Sequence, residues 1–237
     1  MPDHPPLRVK VWGEHACFTR PEMKVERVSY EVMTPSAARG VLEAIYWKPE
    51  FTWRVRRIHV LAPIRRASFV RNEVNSTVPA AAVQRAFERG DGAAYYADAD
   101  RTQRHTLALR DVAYLIEADV VPTGRGAADE APPGGAAAKH RDIFRRRVAR
   151  GQCFHRPYLG CREFAAHFAE PDPSERVPDE LAGRTEPLGR MLFDLRYNEA
   201  GRNVPVFFNA ALDGGVLHVP DALYDALHEP AAAEVAP

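Results

Sequence analysis

Hydrophobic and polar residues alternate near the start of the chain. Over residues 7–12, Leu7, Val9 and Val11 fall on one side and Arg8, Lys10 and Trp12 on the other, the period of two of a half-buried strand. Gly13 and Glu14 break it. The period then changes. Thr34-Pro35 reads as a helix cap followed by a proline in the first turn, and Ala38, Val41, Leu42 and Ile45 make an apolar stripe at helical spacing. Pro49 stops this helix and leaves Tyr46 and Lys48 at its end. Alternation resumes over 52–60, with Trp53, Val55 and Arg57 opposite Arg54, Arg56 and Ile58. The arginines there are too many for an ordinary core strand.

Residues 64–105 carry no clear period and read as a hairpin arm, or a helix with loops. Residues 106–121 predict a long strand. Leu107 and Leu109 share one register, Val112, Tyr114, Ile116 and Ala118 the other, and the slip at Arg110-Asp111 predicts a bulge. An Ala/Gly/Pro-rich loop occupies 122–138. A helix is expected over 139–149, with Ile143, Phe144 and Val148 inward and Arg141, Arg145 and Arg146 outward, ended by Gly151. A further strand follows Gly160.

The order strand, helix, strand, strand, helix, strand predicts an α+β chain with a ferredoxin-like (RRM-like) domain over 1–170. Residues 171–187, rich in proline and acids, read as a surface linker. Short strands with Asn198, Gly201 and Asp213-Gly-Gly as turns predict a small C-terminal antiparallel β subdomain within 171–237, frayed after Pro230.

Charge sharpens this outline. The 237 residues carry 32 basic and 32 acidic side chains, so the net charge is zero. The distribution is uneven: 13 Lys/Arg against 7 Asp/Glu over 1–72, 8 against 1 over 139–162, and 5 against 14 over 163–237. A basic body with an acidic C-terminal region suits a polyanionic partner. Only four of the basic residues are lysine, and the arginine excess fits either phosphate recognition or a GC-rich genome. Cys17, Cys153 and Cys161 show no CxxC spacing, so disulfides and a zinc site are not expected. No apolar run reaches the ~18 residues of a membrane span, and Met-Pro-Asp-His-Pro-Pro does not open like a signal peptide. A cytoplasmic protein with no cofactor is the expectation.

Candidate chemistry lies in two places. Tyr46 sits at a helix end, and Lys139-His140 precedes the run Arg141-Asp-Ile-Phe-Arg-Arg-Arg. Tyrosine, lysine and histidine are the side chains that metal-free RNA cleavage uses. A 2′-hydroxyl loses a proton, charge builds on phosphorus, and a 5′-oxygen departs. His140 suits proton transfer, having a reference pKa near ~6.5. Lys139 suits phosphate charge. Tyr46 is a poor base at ~10 unless cations lower it, and otherwise orients. Each type is also common in purely structural settings. Arg56, Arg57, Arg65, Arg66, Arg145, Arg146 and Arg147 are candidate RNA-backbone contacts.

Several segments resemble the CRISPR-associated Cas5 family, type I-C (Dvulg) branch, within the RAMP superfamily. They are Phe18-Thr-Arg-Pro, Ser29-Tyr-Glu-Val-Met-Thr-Pro-Ser-Ala-Ala-Arg-Gly, Ala44-Ile-Tyr-Trp-Lys-Pro, Pro63-Ile-Arg, Arg71-Asn-Glu, Leu109-Arg-Asp-Val-Ala-Tyr and Gly160-Cys-Arg-Glu-Phe. The resemblance implies an endoribonuclease that cuts precursor CRISPR RNA at the base of the repeat hairpin without metal. It would leave a 2′,3′-cyclic phosphate and a 5′-hydroxyl, then keep the 5′ handle as a subunit of the type I-C surveillance complex beside the backbone and large subunits. It places the family's catalytic tyrosine on Tyr46 and its lysine-histidine pair on Lys139 and His140. The alternatives are a guide-RNA-binding assembly subunit that does not cut, and a role in contacting duplex DNA.

Overall fold

The computed structural model describes residues 4–90, 96–123, 135–197 and 203–227. Its spine is one long strand, β5 (Arg101–Pro122). The C-terminal half of β5 lies between β1 (Leu7–Ala16) and β3 (Phe51–Val60), antiparallel to both. Its N-terminal half leaves that sheet and pairs with β4 (Arg65–Val74) as a two-stranded arm, with the short β2 (Arg27–Val28) parallel beside it. The arm leads to helix α2 (Ala80–Arg89). The partner exchange occurs at the slip read from the alternation. There Asp111 adopts φ 53°, the one positive φ at a non-glycine among the described residues.

Strand β6 (His167–Ala169) pairs with β1 on its other side, giving the order β6-β1-β5-β3. Helix α1 (Pro35–Ile45) connects β1 to β3, and α3 (Gly135–Ala149) connects β5 to β6. The result is an α+β fold with a largely antiparallel sheet, consistent with the expected ferredoxin-like arrangement. β7 (Thr185–Tyr197) and β8 (Asn203–Asp213) form a hairpin. Through β9 (Val216–His218) they hydrogen-bond onto β3, with Ile58 opposite Leu217. Side chains of these strands, among them Met191, Phe193 and Leu212, share one core cluster with Val9, Leu42, Trp53 and Ile116. The short helix α4 (Ala222–Ala226) adds Tyr224, whose hydroxyl donates to the Val55 carbonyl.

Two local features correct the alternation pattern. A β-bulge between Val55 and Arg57 shifts the phase of β3, so Trp53, Val55, Ile58 and Val60 face inward while Arg56 and Arg57 both face out. α3 begins at Gly135, four residues before Lys139, because the alanines preceding the pair are themselves strong helix formers. The segment 124–134, the turn expected at Asn198 and Gly201, and the tail 228–237 lie outside the described residues. Gly160, at φ 84°, shows why the entry to β6 needs a glycine: a Cβ there would sit 2.0 Å from the Cys17 carbonyl oxygen.

Among the described residues no helix is long and apolar enough to cross a membrane.

Candidate active site

Helix α1 starts where its sequence predicts: the Thr34 hydroxyl accepts from the Ala37 amide at 3.3 Å, and Pro35 fills the first turn. Its C-terminus is built by long-range partners. Tyr46 leaves the helix in an extended conformation (φ −158°, ψ 124°). The orphan carbonyls behind it are then satisfied from α3 and the segment that follows it. Arg147 Nη1 donates to the Ile45 oxygen at 2.8 Å, and the Phe154 and His155 amides donate to the Ala44 oxygen at 2.9 and 3.3 Å. The Tyr46 carbonyl accepts from Trp53 Nε1 at 3.0 Å.

These ties hold Tyr46 against α3. His140, Phe144 and Val148 recur at four-residue spacing and form the inward stripe of that helix. Arg141 is also buried, with its guanidinium on the Pro5 carbonyl, rather than outward as the sequence suggested. Phe144 packs edge-on against Trp53 at 4.7 Å, and Phe51 lies 4.8 Å from the His140 ring and 5.6 Å from the Tyr46 ring. Within this aromatic frame Tyr46 Oη and His140 Nδ1 lie 2.9 Å apart, across 94 positions of sequence. Both residues are nearly enclosed, at 4% and 6% exposure. Lys139, the preceding residue, is exposed.

Burial dominates the electrostatics of the pair. It pushes the Tyr46 phenol above its ordinary pKa; Glu50 adds to this, while Arg147 and Arg146 oppose it. Burial pushes the His140 imidazole below its ordinary pKa, against Glu50 and helped by Lys139 and Lys48. The neighbouring cations therefore do not turn Tyr46 into a phenolate. The phenol keeps its proton, and where it donates to Nδ1 the neutral imidazole carries its hydrogen on Nε2. The Arg147 guanidinium lies over the Tyr46 ring, 5.0 Å from its centroid.

The arginines singled out from sequence divide into three sets. Arg56 pairs with Asp119 at 2.6 Å and also with Asp221, and Arg57 pairs with Glu117 at 2.6 Å. Burial opposes ionisation of Glu117, but the His59 imidazole, with Nε2 at 3.3 Å, and the hydrogen bond from Arg57 hold its carboxyl below the usual range. Arg147 belongs to the Tyr46 site. Arg65, Arg66, Arg145 and Arg146 are exposed; Arg66 donates to Glu31 at 3.2 Å, Arg145 donates to Asp142 at 3.4 Å, and Arg65 lies 3.9 Å from Asp111.

Sequence reasoning missed Glu50 and Phe51. Glu50 acts on both members of the pair, and its Oε2 is buried with no hydrogen-bond partner among the described residues. Phe51 braces both rings. Neither bears a local signal, since both reach the site through the turn after Pro49. Arg147 did carry one: it stands seven residues, two helical turns, beyond His140. Beside Tyr46 opens a groove of about 460 Å³ lined by Glu43, Tyr46, Trp47, Lys48, Pro49, Arg147, Phe154 and His155.

Comparison with known proteins bears on this constellation. Residues 6–220 match the model of a family described as CRISPR-associated protein (Cas5). The chain is 46% identical over 219 residues to the CRISPR pre-crRNA endoribonuclease Cas5d of Mannheimia succiniciproducens, covering 90% of this chain and 94% of that one. It is 44% identical over 239 residues to the protein of the same name from Thermus thermophilus, covering 94% of each. A solved structure of a functionally uncharacterized Streptococcus mutans protein shares the fold, with a TM-score of 0.61 and 21% identity over 90% of this chain and 91% of that one. With a family match spanning nearly all of its length and relatives above 40% identity, this chain belongs to the Cas5 family of CRISPR-associated proteins.

Proposed function

We propose that this protein is a precursor CRISPR RNA endoribonuclease of the type I-C branch, cutting at the base of the repeat hairpin. The observation that carries the reading is the Tyr46 Oη to His140 Nδ1 hydrogen bond of 2.9 Å, with Lys139 adjacent on α3. The names of its two relatives, both pre-crRNA endoribonucleases, point the same way.

The protonation states favour a relay over a free phenolate. The 2′-hydroxyl of the substrate gives its proton to Tyr46 Oη as its oxygen attacks phosphorus. Tyr46 passes its own proton to His140 Nδ1, which becomes imidazolium. The bond from phosphorus to the 5′-oxygen breaks, leaving a 2′,3′-cyclic phosphate; the departing oxygen takes a proton from water to end as a 5′-hydroxyl, and the imidazolium gives its proton up to solvent. Lys139 offsets the charge on the phosphate oxygens. The base strength is thus that of an imidazole, while the phenol orients the hydroxyl. Arg65, Arg66, Arg145 and Arg146 are the RNA-backbone contacts best free to act. Residues 1–170 hold the RNA-binding and catalytic parts in an RRM-like, RAMP-type arrangement, and the product stays bound by its 5′ handle in the surveillance complex.

The burial of Tyr46 and His140 favours a second reading, in which the protein holds guide RNA without cutting it. His140→Ala separates the two. The nuclease reading expects cleavage of repeat RNA to fall by at least about 100-fold with binding retained; cleavage at the parent rate would refute it.

A further inference from the structure

We propose that the groove beside Tyr46 is a nucleobase clamp, in which Trp47 and Phe154 stack on an unpaired nucleotide adjoining the cleaved linkage. This rests on the endoribonuclease reading of the neighbouring site. Both rings are unusually open for their size: Trp47 is 50% exposed and Phe154 82% exposed. They come from different parts of the chain, yet line one groove. Trp47 directly follows Tyr46, so a base on its indole lies one residue from the relay.

The rings sit on a braced scaffold. The Phe154 and His155 amides hold the Ala44 carbonyl, and the Gln152 amide donates to the Arg147 oxygen at 2.8 Å. A backbone fixed in advance lowers the ordering entropy spent when a base arrives. The charge of the groove fits a nucleotide too. Lys48 and Arg147 supply cations, while the lining carboxylate, Glu43, is paired at 2.7 Å with Arg39, a guanidinium it shares with Asp194. Aromatic faces interleaved with cations are how proteins hold single-stranded RNA, the bases on the rings and the phosphates on the charges. The volume of about 460 Å³ accommodates a nucleotide.

The test uses the full chain with repeat RNA whose unpaired nucleotides flanking the cleaved linkage are replaced one at a time by 2-aminopurine. A 2′-deoxy sugar at the attacking position blocks the cut. Binding should quench the fluorescence at one position. Trp47→Ala and Phe154→Ala should each remove the quench, and Trp47→Phe should restore it. Trp47→Ala should weaken binding by roughly 5- to 150-fold, the effect of removing one base stack. RNA that binds with no position quenched, or a quench that survives both alanine variants, would overturn the clamp. Unmodified RNA separates this from the catalytic reading. A quench without cleavage supports the clamp and refutes the nuclease; cleavage without a quench does the reverse. A protein that binds no repeat RNA refutes both.

Discussion

Replacing Tyr46 with phenylalanine removes one oxygen from the centre of the site and little else. The ring would keep its packing on Phe51 and its place under Arg147, because neither interaction uses the hydroxyl. What disappears is the 2.9 Å hydrogen bond to His140 Nδ1. A hydrogen bond of this kind contributes about 1 kcal/mol net, but a buried nitrogen left without its partner costs about 1–3 kcal/mol. At 6% exposure, His140 has little water to fall back on. Tyr46→Phe should therefore lower the unfolding free energy by about 1–3 kcal/mol, a decrease that a urea titration resolves. Cleavage should fall far more, by about 100- to 10,000-fold, because the relay is without its first acceptor. The clearest assay is a double-mutant cycle on single-turnover cleavage. If Tyr46 and His140 act as one unit, Tyr46→Phe combined with His140→Ala should be barely slower than the worse single variant. A double variant whose rate reduction is the product of the two single reductions would refute the relay, as would Tyr46→Phe cutting at the parent rate.

Four further outcomes are expected. His140 has its pKa below the ordinary ~6.5 because of burial. Its unfolded form therefore takes up a proton before its folded form does, so the protein should be most stable above that value. It should lose stability as the pH falls toward the folded pKa, as thermal melts across a pH series would show. The cleavage rate should likewise rise with pH to a plateau with its midpoint below ~6.5, since the relay needs neutral imidazole. Gly160→Ala should be destabilised by about 3 kcal/mol, at the upper end for a single substitution, since its φ of 84° and the Cys17 carbonyl at 2.0 Å both oppose a Cβ; denaturant unfolding checks this. Alanine at Arg65, Arg66, Arg145 or Arg146 should weaken RNA binding without sequence preference. Each should also flatten the salt dependence, by roughly 0.7–0.9 in logarithmic slope for every phosphate no longer neutralised.

Much of the frame was legible because its signals are local. The Thr34-Pro35 cap marks the start of α1 to the residue, while its end, read from Pro49, comes earlier, at Ile45, where Tyr46 turns extended. The change of register at Arg110-Asp111 coincides with the left-handed Asp111, where β5 trades β4 for β3. The bulge in β3 was written in the adjacent Arg56 and Arg57, but strict alternation read through it and set Ile58 on the wrong face. The onset of α3 was hidden because alanine is abundant both in loose low-complexity loops and in helices. Nothing local announces β9 on β3, nor that the acids meeting Arg56 and Arg57 stand 60 or more residues away. At the site, residue type suggested Tyr46, Lys139 and His140, but the inward face read from the sequence held Ile143, Phe144 and Val148 and left out His140, which the structure buries. The electrostatics were not readable in advance. Whether cations or burial govern the Tyr46 phenol depends on the enclosure made by Phe51, Trp53 and Phe144, which is a property of the packed fold.

The most direct test of the account is the fate of repeat RNA incubated with the protein in excess EDTA, with both new ends identified. The account predicts one cut at the base of the hairpin, unaffected by the chelator, leaving a 2′,3′-cyclic phosphate on one fragment and a 5′-hydroxyl on the other. RNA left intact in EDTA and cut when magnesium is restored, or a 5′-phosphate on the downstream fragment, would contradict it.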